Sequence, residues 1–212
     1  MLGFLQRAEF EGLEVLVTDY CWDTTRMDDA YALSELHGFV GFAAPSRELD
    51  EVPSYPTAPS FVHAGDVGTL AQVRNFLYLI NPHRFASQDD FVRALRETNY
   101  DLLILDAEFD DTPLSASTVA SLKTKANGGS RLVLCYLSIG EAEDYRSYWR
   151  TAWREAPPEW LLEENPDWPG NYPVQYWDPN WQAIILAAVD RILEAGFDGL
   201  YLDRIDMYEE FG

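Results

Sequence analysis

The sequence predicts an α/β fold, a parallel (β/α) barrel of the TIM type, on three observations. First, short apolar runs without alternation recur at Val15–Thr18, Phe76–Ile80, Leu102–Leu105, Leu132–Leu137 and Leu200–Leu202. That is how strands buried on both faces read. Second, helical periodicities lie between them, which is the order of a parallel sheet with helices outside. Third, the runs end in carboxylates: Asp19, Asp106, Asp178 and Asp203, with Glu141 and Glu143 just past another. Barrel strands converge at their C-terminal ends, and active sites sit on that face.

The elements follow in order. Residues 1–12 are the tail of a helix closed by Gly12, and 13–19 are a strand. Trp22–Arg26 reads as a polar loop. Met27–Leu36 carries Ala30, Leu33 and Leu36 at helical spacing and stops at His37-Gly38. Phe39–Ala44 is a second strand. Residues 51–70, with Pro53, Pro56 and Pro59, are a linker between a first segment (1–50) and a second (71–212) of one combined domain.

In the second segment Phe76–Ile80 is a strand, and Ser87 caps a helix holding Phe91, Val92 and Leu95. Asp101–Asp106 is a strand. Ser115 opens a helix that stops at Asn127-Gly128-Gly129. Arg131–Ser138 is a strand, followed by a loop rich in Trp and Pro over 144–172. Val174–Trp177 is a short strand. Asn180–Ala195 is a helix on the spacing of Trp181, Ile184, Ile185, Ala188, Val189 and Ile192. Gly199–Ile205 is the last strand. The sum is about seven strands, short of the eight strands and about 250 residues of a complete barrel. The barrel is therefore expected to be incomplete.

The charge excludes some functions. The net charge is -21, and Lys123 and Lys125 are the only lysines. Nucleic-acid binding needs basic patches, and none is visible. The acidity suits a solvated surface, or a negative cleft that attracts a cationic ligand such as an amino-sugar polymer. No apolar run is long enough for membrane insertion. Met1–Arg7 lacks the apolar core of a signal peptide. Cys21 and Cys135 read as core thiols, with a bridge between them left open and no metal-site spacing. Three His, none beside a strand-end nucleophile, give no support to a hydrolytic triad. No phosphate-binding glycine loop appears. A magnesium or calcium site made of carboxylates alone stays open, and with it a metal-dependent hydrolase.

The chemistry is expected at the strand tips. Asp203 follows Tyr201-Leu202 at the end of its strand, where burying a carboxylate is costly unless it is used or paired. It is the catalytic candidate. Gly140 lets the chain turn after Ser138, which sends Glu141 and Glu143 toward the mouth. Asp178 before Pro179 reads either as a helix cap or as a substrate ligand. Asp106, Asp19, Asp206, Tyr136 and Trp177 complete the substrate-binding candidates. Trp149, Trp153, Trp160, Trp168 and Trp177 offer flat faces that suit sugar rings, or else pack the loops.

These motifs resemble a known family. The stretches YLSIGEAEDYRSYW (Tyr136–Trp149), ENPDWPGNYPVQYWD (Glu164–Asp178) and GFDGLYLDRIDMY (Gly196–Tyr208) are similar to those of glycoside hydrolase family 114, which includes the endo-alpha-1,4-polygalactosaminidases. The likeness runs back to NFLYLINP at Asn75 and covers VLVTDYCWDTTRMDDAYA and GFVGFAAPSRELD in residues 13–50. In the usual family chain the latter come last, so residues 1–50 resemble a C-terminal barrel segment and 71–212 an N-terminal one. The order is permuted, and the strands between, with a PQNGE-like tip, are missing. The favoured reading is a permuted member cut short upstream; a junction of tandem copies is the other.

The resemblance implies a TIM-type barrel, no cofactor, and two-carboxylate hydrolysis of an alpha-1,4-linked, galactosamine-containing polysaccharide. It matches Asp203 to the catalytic acid of the YLDxxD-like motif. The second acid falls in the missing strands and is assigned to no residue here. It also implies an extracellular or cell-surface location and a polysaccharide or amino-sugar oligosaccharide as partner. Arg204 stands where the family has a small or aliphatic residue, so pairing of Arg204 with Asp203 is an expectation to check. The alternative function is a carbohydrate-binding or scaffold barrel without turnover.

Overall fold

The structure, a computed structural model, describes residues 2–211. Helix α1 (Leu2–Phe10) leads into β1 (Leu16–Tyr20). Helix α2 (Thr24–His37) begins earlier than its apolar spacing predicts, because Asp23 caps it by accepting from the Arg26 amide at 3.0 Å. Trp22–Arg26 is thus partly the first turn of a helix. Strand β2 (Val40–Ala44) lies parallel to β1, with Asp19 opposite Ala43 and Tyr20 opposite Ala44.

The second segment supplies β3 (Phe76–Leu79), α3 (Gln88–Arg96), β4 (Leu102–Leu105) and α4 (Ala116–Leu122). Between β4 and α4 sits a small antiparallel pair, β5 (Glu108–Phe109) and β6 (Thr112–Pro113). Ser87 and Ser115 cap α3 and α4 as expected, each accepting a backbone N–H three residues on. Strand β7 (Leu132–Ser138) follows, then the antiparallel pair β8 (Glu141–Glu143) and β9 (Asn171–Pro173). Helix α5 (Pro179–Glu194), β10 (Gly199–Asp203) and the short α6 (Tyr208–Phe211) complete the order.

Among the described residues, six strands run parallel. β3, β4, β7 and β10 form one ladder in that order, and β1–β2 form another. The Phe42 and Phe76 rings, 5.5 Å apart, join β2 to β3. The two segments share one core, in which Val40, Phe42 and Ala44 pack with Phe76, Leu77 and Leu79. The barrel is not closed between β1 and β10.

Val174–Trp177 is not a barrel strand, which corrects the expected seven. Pro173 pairs antiparallel with Glu141 in the β8–β9 hairpin, and Val174 makes one bridge to Leu161. Proline lacks the N–H that a central strand needs, so this run is an edge element. Helix α4 stops at Leu122, before the glycines, because the chain there turns Lys125 inward.

The linker has little regular structure, yet it is fastened. Lys125 Nζ donates to the His63 and Gly65 carbonyls at 2.9 and 2.8 Å and to Asp101 Oδ1 at 2.9 Å. Asp101 Oδ2 also takes the Arg74 amide, and His63 Nε2 lies 3.1 Å away. A buried charge needs such full partnering. Cys21 and Cys135 are free and buried, as core thiols.

Candidate active site

Strand alternation sorts the interior side chains. Residues two apart share a face. In β10 that places Tyr201 and Asp203 together, and register puts Tyr201 beside Tyr136 and Asp203 beside Ser138 of β7. The Tyr136 hydroxyl donates to Asp203 Oδ2 at 2.7 Å. The Tyr136 ring stacks at 6.5 Å on Tyr201, whose ring lies 5.0 Å from Tyr78 of β3. Asp203 therefore tops a column of phenols.

These phenols stay protonated at neutral pH. Burial pushes the Tyr136 hydroxyl far above its ordinary range, and the negative charges of Glu143 and Asp203 push the same way. Tyr78 and Tyr201 are raised by burial first and by neighbouring negative groups second. Such groups can donate to a carboxylate or a sugar oxygen without ionising.

Glu141 lies just beyond the β7 tip and is 4% exposed. Its Oε1 accepts from Asn165 Nδ2 at 2.8 Å and faces Arg204 Nε at 3.2 Å. Burial raises its pKa, against the pull of Asn165 and Arg204, and the nearby charges of Asp203 and Glu143 add to the rise. A buried carboxyl held above its usual range is what a proton donor needs.

Asp106 and Glu143 have another partner. Arg146 Nη1 donates to Asp106 at 2.7 Å, and its Nε donates to Glu143 Oε2 at 2.6 Å. Glu143 also takes the Tyr145 hydroxyl at 2.7 Å. Burial alone would lower the Arg146 pKa, but Glu143 and Asp106 more than offset it and hold it well above the usual value. These two acids, expected to bind sugar, share Arg146 as their ion-pair partner in the structure.

Three more expectations shift. Asp178 caps α5, accepting from the Asn180 amide at 2.7 Å. It lines a cleft of about 910 Å³ with Trp149, Trp153 and Trp160, and Asp203, Tyr136 and Glu141 are not part of that wall. Asp19 stands opposite Ala43, which packs with Cys21 and Met27, so alternation directs it away from the interior. Tyr20 is the β1 residue whose phenol feels the charge of Asp203. Asp206 is exposed in the turn after β10, and Trp177 lies edge-on to Tyr176 and Phe211. Among the described residues, no three His, Cys, Asp or Glu converge as a metal-ligand set.

The model of glycoside-hydrolase family GH114 matches residues 80–212. The chain belongs to this family. A protein of Deinococcus radiodurans, described as uncharacterized, is 47% identical over 119 residues, covering 56% of this chain and 37% of that one. An uncharacterized protein of Methanocaldococcus jannaschii is 38% identical over 147 residues, covering 69% of this chain and 42% of that one. The chain thus spans less than half the length of these curated relatives. Among solved structures, the crystal structure of Aspergillus fumigatus Ega3 in complex with galactosamine aligns with 24% identity and a TM-score of 0.45, over 74% of this chain and 51% of that one.

In this GH114 chain the structure brings the expected Tyr136 onto Asp203 and puts Glu141 just past β7, and it adds Tyr78, Tyr201, Arg146 and Asn165, which the sequence did not single out. Tyr201 was detectable, since it stands two residues before Asp203 and shares its face. Arg146 and Asn165 were not, because their partners come from other loops. The expected pairing of Arg204 with Asp203 is replaced by pairing with Glu141 and Glu210.

Proposed function

We propose that this chain contributes the Asp203 side of a glycosidase site acting on an alpha-1,4-linked, galactosamine-containing polysaccharide. The observation that carries this reading is the Asp203 carboxylate at the inner tip of β10, held by the Tyr136 hydroxyl at 2.7 Å and free of Arg204. A carboxylate so placed serves as nucleophile or base at a sugar carbon or its attacking water. The phenols of Tyr78 and Tyr201 build the wall beneath it. Glu141 orients the sugar through a hydroxyl or an ammonium group. The preference for galactosamine rests on the likeness of the YLSIGE and YLDRID stretches to polygalactosaminidases and on the acidity of the chain. An extracellular or cell-surface setting goes with such a polymer.

The test is hydrolysis of partially de-N-acetylated galactosaminoglycan by the protein and by Asp203→Asn. Loss of product release in the variant supports the reading, and equal rates in both remove Asp203 from the chemistry. A second reading is a carbohydrate-binding barrel without turnover, favoured by the gap between β1 and β10. Saturable glycan binding without product release would support that one.

A further inference from the structure

One contact spans the mouth of the barrel. The Arg47 guanidinium sits over the Trp168 ring, 4.6 Å from its centroid. Arg47 follows β2, and Trp168 belongs to the loop that closes the β8–β9 hairpin beyond β7. In the sheet, β3 and β4 lie between β2 and β7. The contact therefore bridges the C-terminal ends of four neighbouring strands, on the face that carries Asp203.

Both ends of this bridge are tied to the site. The Trp168 amide donates to the Asn165 carbonyl at 3.2 Å, and the Asn165 side chain holds Glu141. Arg47 acts electrostatically on Tyr20, which also feels Asp203. Trp149, Trp153 and Trp160 pack against one another or Trp181 in a satellite core, where Arg150 from the same loop lies over Trp153 at 5.8 Å; Trp168 is 41% exposed, and the cation on its face comes closer, at 4.6 Å, and from the distant β2 end.

We propose that Trp168 is a stacking platform for a sugar residue of the substrate and that Arg47 occupies its face until an ammonium-bearing sugar replaces it. This rests on the carbohydrate reading above. An exposed cation–π contact is weak and exchanges readily. An indole face accepts the apolar face of a sugar ring, and the ammonium of an amino sugar restores the positive charge that Arg47 withdraws. The acidic surroundings favour that cation over a neutral sugar.

The test is titration of the whole chain with an alpha-1,4-galactosamine oligosaccharide by calorimetry, for wild type, Trp168→Ala, Trp168→Phe and Arg47→Ala. Trp168→Ala is expected to weaken binding about ten-fold, and Trp168→Phe to retain most of it. Arg47→Ala is expected to tighten binding about three-fold by clearing the ring face. A purely structural role of Arg47 gives the opposite sign and overturns the placeholder. Equal affinity of wild type and both Trp168 variants overturns the platform while leaving the carbohydrate reading intact. No binding by wild type overturns the carbohydrate reading, and the platform with it. If Trp168→Ala loses its thermal transition, Trp168→Leu takes its place: it fills the space without a flat aromatic face, so unchanged affinity overturns the platform and a clear loss supports it.

Discussion

Arg204 turns toward Glu141, with Nε 3.2 Å from Oε1, although its neighbour in the chain is Asp203. The backbone explains the turn. Arg204 has φ of 57°, a left-handed conformation that residues other than Gly, Asn and Asp rarely adopt. That angle swings its side chain off the inner face while Asp203 remains on it. The pairing is charge against charge, without an aligned hydrogen bond from Nε. Asp203 is left with the Tyr136 hydroxyl as its donor.

Glu141 makes stability depend on pH. Its pKa is raised in the folded state, chiefly by burial. The native state therefore binds more protons than the unfolded state once pH exceeds the unfolded carboxyl range, and stability falls as pH rises through that window. Glu141→Gln keeps an acceptor for Asn165 and removes the charge. The variant is expected to melt higher than wild type at pH 7 and to lose that advantage near pH 4. Thermal scans across that range check it, and a constant offset would contradict it.

Tyr136→Phe isolates the hydrogen bond to Asp203. A hydrogen bond to a charged group is worth about 1.5–3 kcal/mol, so kcat on a galactosamine polymer is expected to fall roughly 10- to 100-fold. The ring and its stack on Tyr201 remain, so the melting temperature is expected to fall only by what that one hydrogen bond contributes, roughly 3–12 °C. Steady-state kinetics together with a thermal scan separate the two effects. Equal kcat in wild type and variant would remove the hydroxyl from the chemistry.

Much of this was legible in the sequence, for local reasons. Ser87 and Ser115 cap helices because a hydroxyl there meets a free N–H. Asp203 stood out because a strand-end carboxylate must be used or paired, and in the structure the Tyr136 hydroxyl pairs with it. What stayed hidden depends on distant partners. Asp106 and Glu143 look like free strand-tip acids until Arg146 is folded between them. Asp178 reads equally as ligand or cap, and the structure shows the cap, since Pro179 starts a helix there. Val174–Trp177 resembles a strand by composition, but Pro173 commits the preceding residues to an edge hairpin.

Arg146→Leu tests that ion pair. The substitution leaves two carboxylates, Asp106 and Glu143, with little exposure and no cation. Breaking a buried pair by removing one partner costs about 3–5 kcal/mol. Urea unfolding at pH 7 is expected to show that loss. The deficit is expected to shrink at low pH, where the orphaned acids protonate. A deficit that does not change with pH would mean that packing of the arginine stem, and not charge, matters there.

Gly140→Ala tests how the tips of β7 and β10 are locked together. A Cβ on Gly140 would lie 2.4 Å from the Arg204 carbonyl oxygen and 2.2 Å from Met207 Cγ. The Met207 side chain can move aside, but the carbonyl belongs to the turn that follows Asp203, and the Ile139 amide is bonded to the Asp203 carbonyl at 3.1 Å. The turn must therefore shift, and Asp203 with it. Overpacking of this kind costs about 1–3 kcal/mol, and a domain of this size loses roughly 2–4 °C of melting temperature per kcal/mol. Gly3→Ala is the control, since nothing lies within 4 Å of its added methyl. A drop in melting temperature for Gly140→Ala with none for Gly3→Ala is the expected result. Matching melting curves for the two would show that the 204–207 turn is free to move and does not hold Asp203 in place.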